Sequence, residues 1–149
     1  MKSLFDLDMF QQTVNRVEAF QPSASRQWGK MTPAQMLEHS ARAMEMACGK
    51  GPQKQFWLGK VIGWTVRKDF VGEKPFSKNG PTAPQFVVKS EPNFTAAKHR
   101  LLGMMCELQS KAELGCDGNI HAFFGRMSGA EWGVTQYKHL DHHLRQFGA

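Results

Sequence analysis

His139 and His143 stand four residues apart in the C-terminal run Gln136-Tyr-Lys-His139-Leu-Asp-His142-His143-Leu-Arg-Gln-Phe147. On a helix that spacing makes neighbours of the two imidazoles, with Cβ atoms about 5–6 Å apart, close enough to meet one metal ion. Trp132, Gln136, His139, His143 and Phe147 recur at steps of four, three, four and four, with Leu140 and Leu144 on the adjoining arc. The pair therefore points inward, where a polar ring needs a partner. His142 falls on the flank away from His143, toward Lys138 and Arg145, and is left out of the site.

A third inward histidine comes from far upstream. His39 shares a helical face with Met36, Ala43, Met46 and Ala47, while Glu38, Arg42 and Glu45 lie to the other side. Helices in a bundle pack about 8–10 Å apart, so His39 can complete a three-histidine group with His139 and His143. Three protein ligands leave a coordination position open for water or substrate, as catalysis requires. Three separately buried histidines are the plainer alternative. No acid or base accompanies them: Gln136 and Gln146 do not transfer protons usefully, and Asp141 lies nearly opposite the histidine face. His121, before Phe123 and Phe124, is read as a loop-packing residue and His99 as solvent-facing. Trp28, Phe123, Phe124 and Trp132 read as core or pocket wall.

The elements that must position these residues are helical. Leu7, Phe10, Val14 and Val17 form the stripe of a first helix ending near Phe20. Thr32-Pro33-Ala34-Gln35 combines an N-cap threonine, a first-turn proline and a capping-box glutamine, opening a second helix that Gly49 stops. A third runs from about Gln55 to Phe70, weakened by two glycines. From Gly72 to Pro92 four prolines and Asn79-Gly80 break regular structure, leaving Gln85 to Lys89 as an expected short extended piece. Asn93 caps a fourth helix, with Phe94, Leu101, Met105 and Leu108 inward and Gly115 as its stop. Ser128-Gly-Ala-Glu131 is another capping box and opens the last helix, expected to reach Phe147. Five helices without a convincing sheet indicate an all-α bundle in a single domain spanning residues 1–149.

Composition narrows the function classes. The 149 residues carry a formal charge of +6, with 41% apolar and 21% charged residues, the proportions of a globular domain. No apolar run approaches the roughly 20 residues that cross a bilayer. Asp6 and Asp8 interrupt any export signal, so cytoplasmic residence and no membrane partner are expected. Cys48, Cys106 and Cys116 lack zinc or redox spacing and read as free thiols, one reactive thiol being the weaker alternative. Seven cations between Lys50 and Lys78 face only Asp69 and Glu73, giving that segment +5 of the total. Its aromatics, Phe56, Trp57, Trp64, Phe70 and Phe76, superficially suit base stacking. A solvated helix face, with the aromatics used for packing, is the preferred reading over nucleic acid.

With these residues laid out, Trp28-Gly-Lys-Met-Thr-Pro-Ala-Gln-Met-Leu-Glu-His39 and His139-Leu-Asp-His142-His143-Leu-Arg-Gln-Phe-Gly148 resemble the DinB-like (YfiT-like) metal-binding four-helix bundles, in an uncharacterised branch. The resemblance implies a divalent ion, zinc or nickel, on His39, His139 and His143, and a thiol S-transferase or hydrolase activity on a small molecule that could be a thiol. The long Gly72 to Pro92 connection departs from that pattern. A metal- or ligand-binding homodimer without catalysis is the alternative, and a basic nucleic-acid-binding protein is a third.

Overall fold

A computed structural model describes residues 1–51, 53–80 and 82–149. The elements in chain order are α1 (Leu7–Ala19), α2 (Pro33–Ala47), α3 (Trp57–Val71), a 3-10 turn at Pro84–Phe86, α4 (Phe94–Cys116), a hairpin of β1 (Ile120–His121) and β2 (Gly125–Arg126), and α5 (Gly129–Gln146). The fold is all-α apart from that hairpin. Among the described residues no helix is long and apolar enough to cross a membrane.

The helix boundaries have local chemical causes. Thr32 Oγ1 accepts from the Gln35 amide while Gln35 Oε1 accepts from the Thr32 amide, and Ser128 and Glu131 repeat the exchange at α5. Each such box satisfies two backbone donors that a helix start otherwise leaves free. Asn93 and Asp6 cap α4 and α1 with one side-chain bond each.

Helices α1, α2, α4 and α5 enclose the core, in which Leu37, Met44, Leu101, Met105, Leu108, Trp132, Leu140 and Leu144 are fully buried. Leu7 departs from its expected stripe and is 72% exposed. It is the first residue of α1 and turns outward just after Leu4, which is fully buried and whose amide donates to the Gly133 carbonyl; the inward stripe starts at Phe10 and ends at fully buried Val17. Gln85 and Phe86 are not extended: Pro84 opens a 3-10 turn over them, which its fixed φ favours at a first helical position, and the chain becomes extended only at Val87 (φ −71°, ψ 119°), without forming a strand.

Helix α4 runs one residue past its expected glycine stop, but its regular backbone breaks at Ala112 (φ 53°, ψ −170°). The displaced last turn brings the Glu113 carbonyl against Gly129, where a Cβ would lie 2.1 Å from that oxygen. Gly129 is thus required at the start of α5.

Helix α3 lies outside the four-helix core, against α5 and the hairpin. Its two glycines are the contact: a Cβ on Gly59 or Gly63 would come within 2.1 and 2.7 Å of the Phe123 carbonyl oxygen. Arg67 forks onto the Glu131 carboxylate at 3.1 and 2.6 Å. Lys138 Nζ donates to the carbonyls of Asp69, Phe70 and Gly72, closing the last turn of α3 with a cation at the negative end of its dipole.

Candidate metal centre

Helix α2 delivers His39 and α5 delivers His139 and His143 to one point between them. One ring nitrogen from each lies within 4.8 Å of the others. Among the described residues this is the only group of three or more histidine, cysteine or carboxylate side chains so arranged. Tetrahedral zinc needs its nitrogens roughly 3.3 Å apart, a spacing that small ring rotations reach from here. His39 is 5% and His143 9% exposed, while His139 is half-buried and is the accessible member.

The hydrogen bonds behind the rings decide which nitrogens are free. Gln146 Nε2 donates to the Trp28 carbonyl at 2.8 Å, so its Oε1 is an acceptor; His143 Nδ1, 2.9 Å from that oxygen, must therefore carry a proton. His39 Nδ1 lies 3.0 Å from the Phe86 carbonyl, which can only accept, so that nitrogen is protonated too. Both rings are left with an Nε2 lone pair facing the site. Backing of a ligand histidine by a carbonyl or amide oxygen is the usual means of fixing the ligating tautomer.

The third ring completes the geometry. His139 Nε2 lies 2.9 Å from His39 Nε2. Because His39 presents a lone pair there, His139 Nε2 carries the proton between them in this state. Moving that proton to Nδ1 turns two facing nitrogens into two ligands. The ring centroids of His39, His139 and His143 are 4.6 to 4.9 Å apart in all three pairings.

Electrostatics favour the same use. Burial pushes the His39 and His139 pKa values down, His139 well below its ordinary value, and pushes His143 down to about 3. Repulsion adds to this, from His143 and His39 on His139, from His39 on His143, and from Arg42 and His142 on His39. All three are therefore neutral at pH 7, the form that ligates metal. Gln136 adds a further polar group: its Oε1 is buried without a hydrogen-bond partner among the described residues, one turn before His139. A polar guest would relieve that deficit.

Other residues fall outside the group. His142 packs its half-buried ring against Trp28, at 5.6 Å between centroids, and beside a groove also bordered by Phe76, Lys78, Lys138 and Arg145. His121 uses Nδ1 to accept from the Phe123 and Phe124 amides at 3.1 and 3.2 Å, and it stacks on Phe124. It is a turn-forming residue whose pKa burial lowers to about 4. His99 is exposed on α4. Glu38 is engaged by Arg42 and Arg100, and Asp141 by Arg16, so neither carboxylate turns toward the histidines. Burial pushes the Cys48 thiol up to about 12 and raises Cys116, which keeps both protonated and unreactive.

The Phe86 carbonyl is the functional group that sequence reasoning missed. A backbone oxygen has no residue signature, and the only local signal was Pro84, which sets the turn that aims it.

No curated protein and no solved structure matches the chain. The profile of one family does, over residues 1–149, and the chain belongs to that family, described as a protein of unknown function (DUF1569).

Proposed function

We propose that the chain is a DinB-like, metal-dependent enzyme of the transferase or hydrolase type, holding Zn²⁺ or Ni²⁺ on His39, His139 and His143. One observation carries the reading: the Nε2 atoms of His39 and His139 face each other at 2.9 Å, while the far nitrogens of His39 and His143 are tied to oxygen acceptors. The His39–His139 hydrogen bond alone would satisfy two buried rings; what supports a metal is that the tied far nitrogens leave Nε2 of both His39 and His143, on two helices, as the available ligand atoms.

Such an ion supplies Lewis acidity, lowering the pKa of a water or thiol that reaches it. The protein contributes the rest. Phe86 and Gln146 hold two ligand rings in register, and His139, half-buried where His39 and His143 are buried, is the ring a small substrate would meet first. Gln136, one turn before His139 on the same helix, carries a buried Oε1 without a hydrogen-bond partner among the described residues, and a polar group bound there would satisfy it. Apolar Trp132, Leu140 and Leu144 exclude bulk water behind the rings, which strengthens polar interactions in front of them.

Elemental analysis of the native protein beside a His139→Ala, His143→Ala variant tests the site. Stoichiometric zinc or nickel in the first and none in the second is expected; equal metal in both overturns it. Metal-loaded protein screened for thiol transfer and for ester or amide hydrolysis then separates the two reaction types.

A further inference from the structure

The sequence assigns the aromatics of this segment to packing, and Phe70 does pack, against Phe76 and Phe124, but Phe56, Trp57 and Trp64 lie outside. Trp57 and Trp64 are each 75% exposed, Val61 is 60%, and Phe56, Leu58, Ile62 and Val66 are exposed as well. Trp57, Val61 and Trp64 follow one another at steps of four and three, so they share a stripe, with Leu58 and Ile62 beside it; Gly59 and Gly63 occupy the opposite, inward side. The two indoles alone present on the order of 300 Å², already the size of the largest apolar patch on a typical monomer.

The charges around this patch have one sign. No carboxylate occurs between Glu45 and Asp69. Lys50 and Arg67 are neutralised by Glu107 and Glu131, whereas Lys54, Lys60 and Lys68 are exposed and have no ion-pair partner among the described residues. These cations border an apolar surface on a helix seated on the fold through its glycine side.

We propose that α3 is an interfacial helix that lays Trp57, Leu58, Val61, Ile62 and Trp64 into the surface layer of an anionic lipid membrane, with Lys54, Lys60 and Lys68 on the headgroups. This differs from spanning: an interfacial helix needs one apolar face and flanking cations, and enters only about 5–10 Å. Tryptophan is the side chain that settles at that depth. A second copy of the chain fits less well, because a symmetric contact sets this face against itself and so brings together two surfaces that each carry three lysines unpaired among the described residues and no carboxylate between Glu45 and Asp69. Single-stranded nucleic acid would use the cations and indoles but not Leu58, Val61 and Ile62, which offer bases nothing to stack on. A lipid surface uses all of them.

The test is co-sedimentation of the full chain with vesicles of phosphatidylcholine alone and of phosphatidylcholine mixed with phosphatidylglycerol. The protein is expected to pellet with the mixed vesicles only, less so as salt is added, and with a blue shift of tryptophan emission. Two variants, Trp57→Ser with Trp64→Ser, and Lys54→Glu with Lys60→Glu and Lys68→Glu, should each lower vesicle partitioning at least about tenfold. Both should keep the wild-type circular dichroism spectrum, since the altered side chains are exposed. Wild-type protein that stays in solution beside anionic vesicles overturns the proposal, as does pelleting that neither variant reduces. A concentration-dependent dimer without vesicle binding, converted to monomer by the tryptophan variant, reassigns the face to a second copy. Low-salt binding of a single-stranded oligonucleotide without vesicle binding reassigns it to nucleic acid. The proposal stands or falls independently of metal at the histidines.

Discussion

His143 is gripped from behind by an amide that is itself gripped: Trp28 carbonyl, Gln146 amide and His143 Nδ1 form one chain of hydrogen bonds. Removing its middle link leaves the ligand's type intact but frees its tautomer and rotation. Gln146→Ala should therefore weaken zinc binding about 10- to 100-fold while the protein stays folded, measured by competition with a chromophoric chelator. Affinity within a factor of about two of wild type would mean the amide has no orienting role. The same residues give a pH prediction. His39, His121, His139 and His143 have lowered pKa values in the folded state, so between about pH 6.5 and 4 the unfolded chain binds more protons than the native one. Stability present above pH 6.5 is lost as pH falls, and the denaturation midpoint of metal-free protein should drop steadily over that interval. At this scale the sequence was informative wherever chemistry resides in side-chain type and spacing, as it does for His39, His139 and His143. It was silent on Phe86, which contributes an oxygen that every residue owns.

Among the elements, the starts of α2 and α5 were legible to the residue because they are written as capping boxes. Thr32→Ala removes the acceptor for the Gln35 amide and should destabilise the protein by about 1 kcal/mol in urea denaturation. Helix α3 was legible as a helix but not in its placement. Periodicity reports which residues share a face, and only tertiary contact decides which face turns inward; here the decision rests on two glycines that admit the Phe123 carbonyl. Gly59→Val puts branched carbon where that oxygen sits, 2.1 Å from an ideal Cβ. It should detach α3, seen as faster tryptic cleavage at Lys60 and Lys68, with zinc affinity little changed because the histidines sit on other helices. Unaltered proteolysis would show that α3 is not seated through this contact. The extended piece expected at Gln85 to Lys89 starts only at Val87, because the fixed φ of Pro84 holds Gln85 and Phe86 in a 3-10 turn.

For the molecule as a whole, binding to the native state alone must appear as stability. At a free metal concentration one hundred times the dissociation constant, zinc should raise the unfolding free energy by about 2.7 kcal/mol, and His39→Ala should abolish the increment. An equal increment in that variant would place the ion elsewhere. Were the ion instead kept by the unfolded chain, that increment would shrink and the distance along the chain would govern. His39 and His139 are separated by 100 residues, and the chain between them includes all of α3 and α4. An ion held on both resembles a cross-link more than a cofactor in this respect: retained by the unfolded chain, it would confine a loop whose closure is worth about 4.7 kcal/mol in chain-entropy terms. A chelator would then act on this protein much as a reductant acts on a disulfide, letting out a hundred residues of slack by opening a single knot.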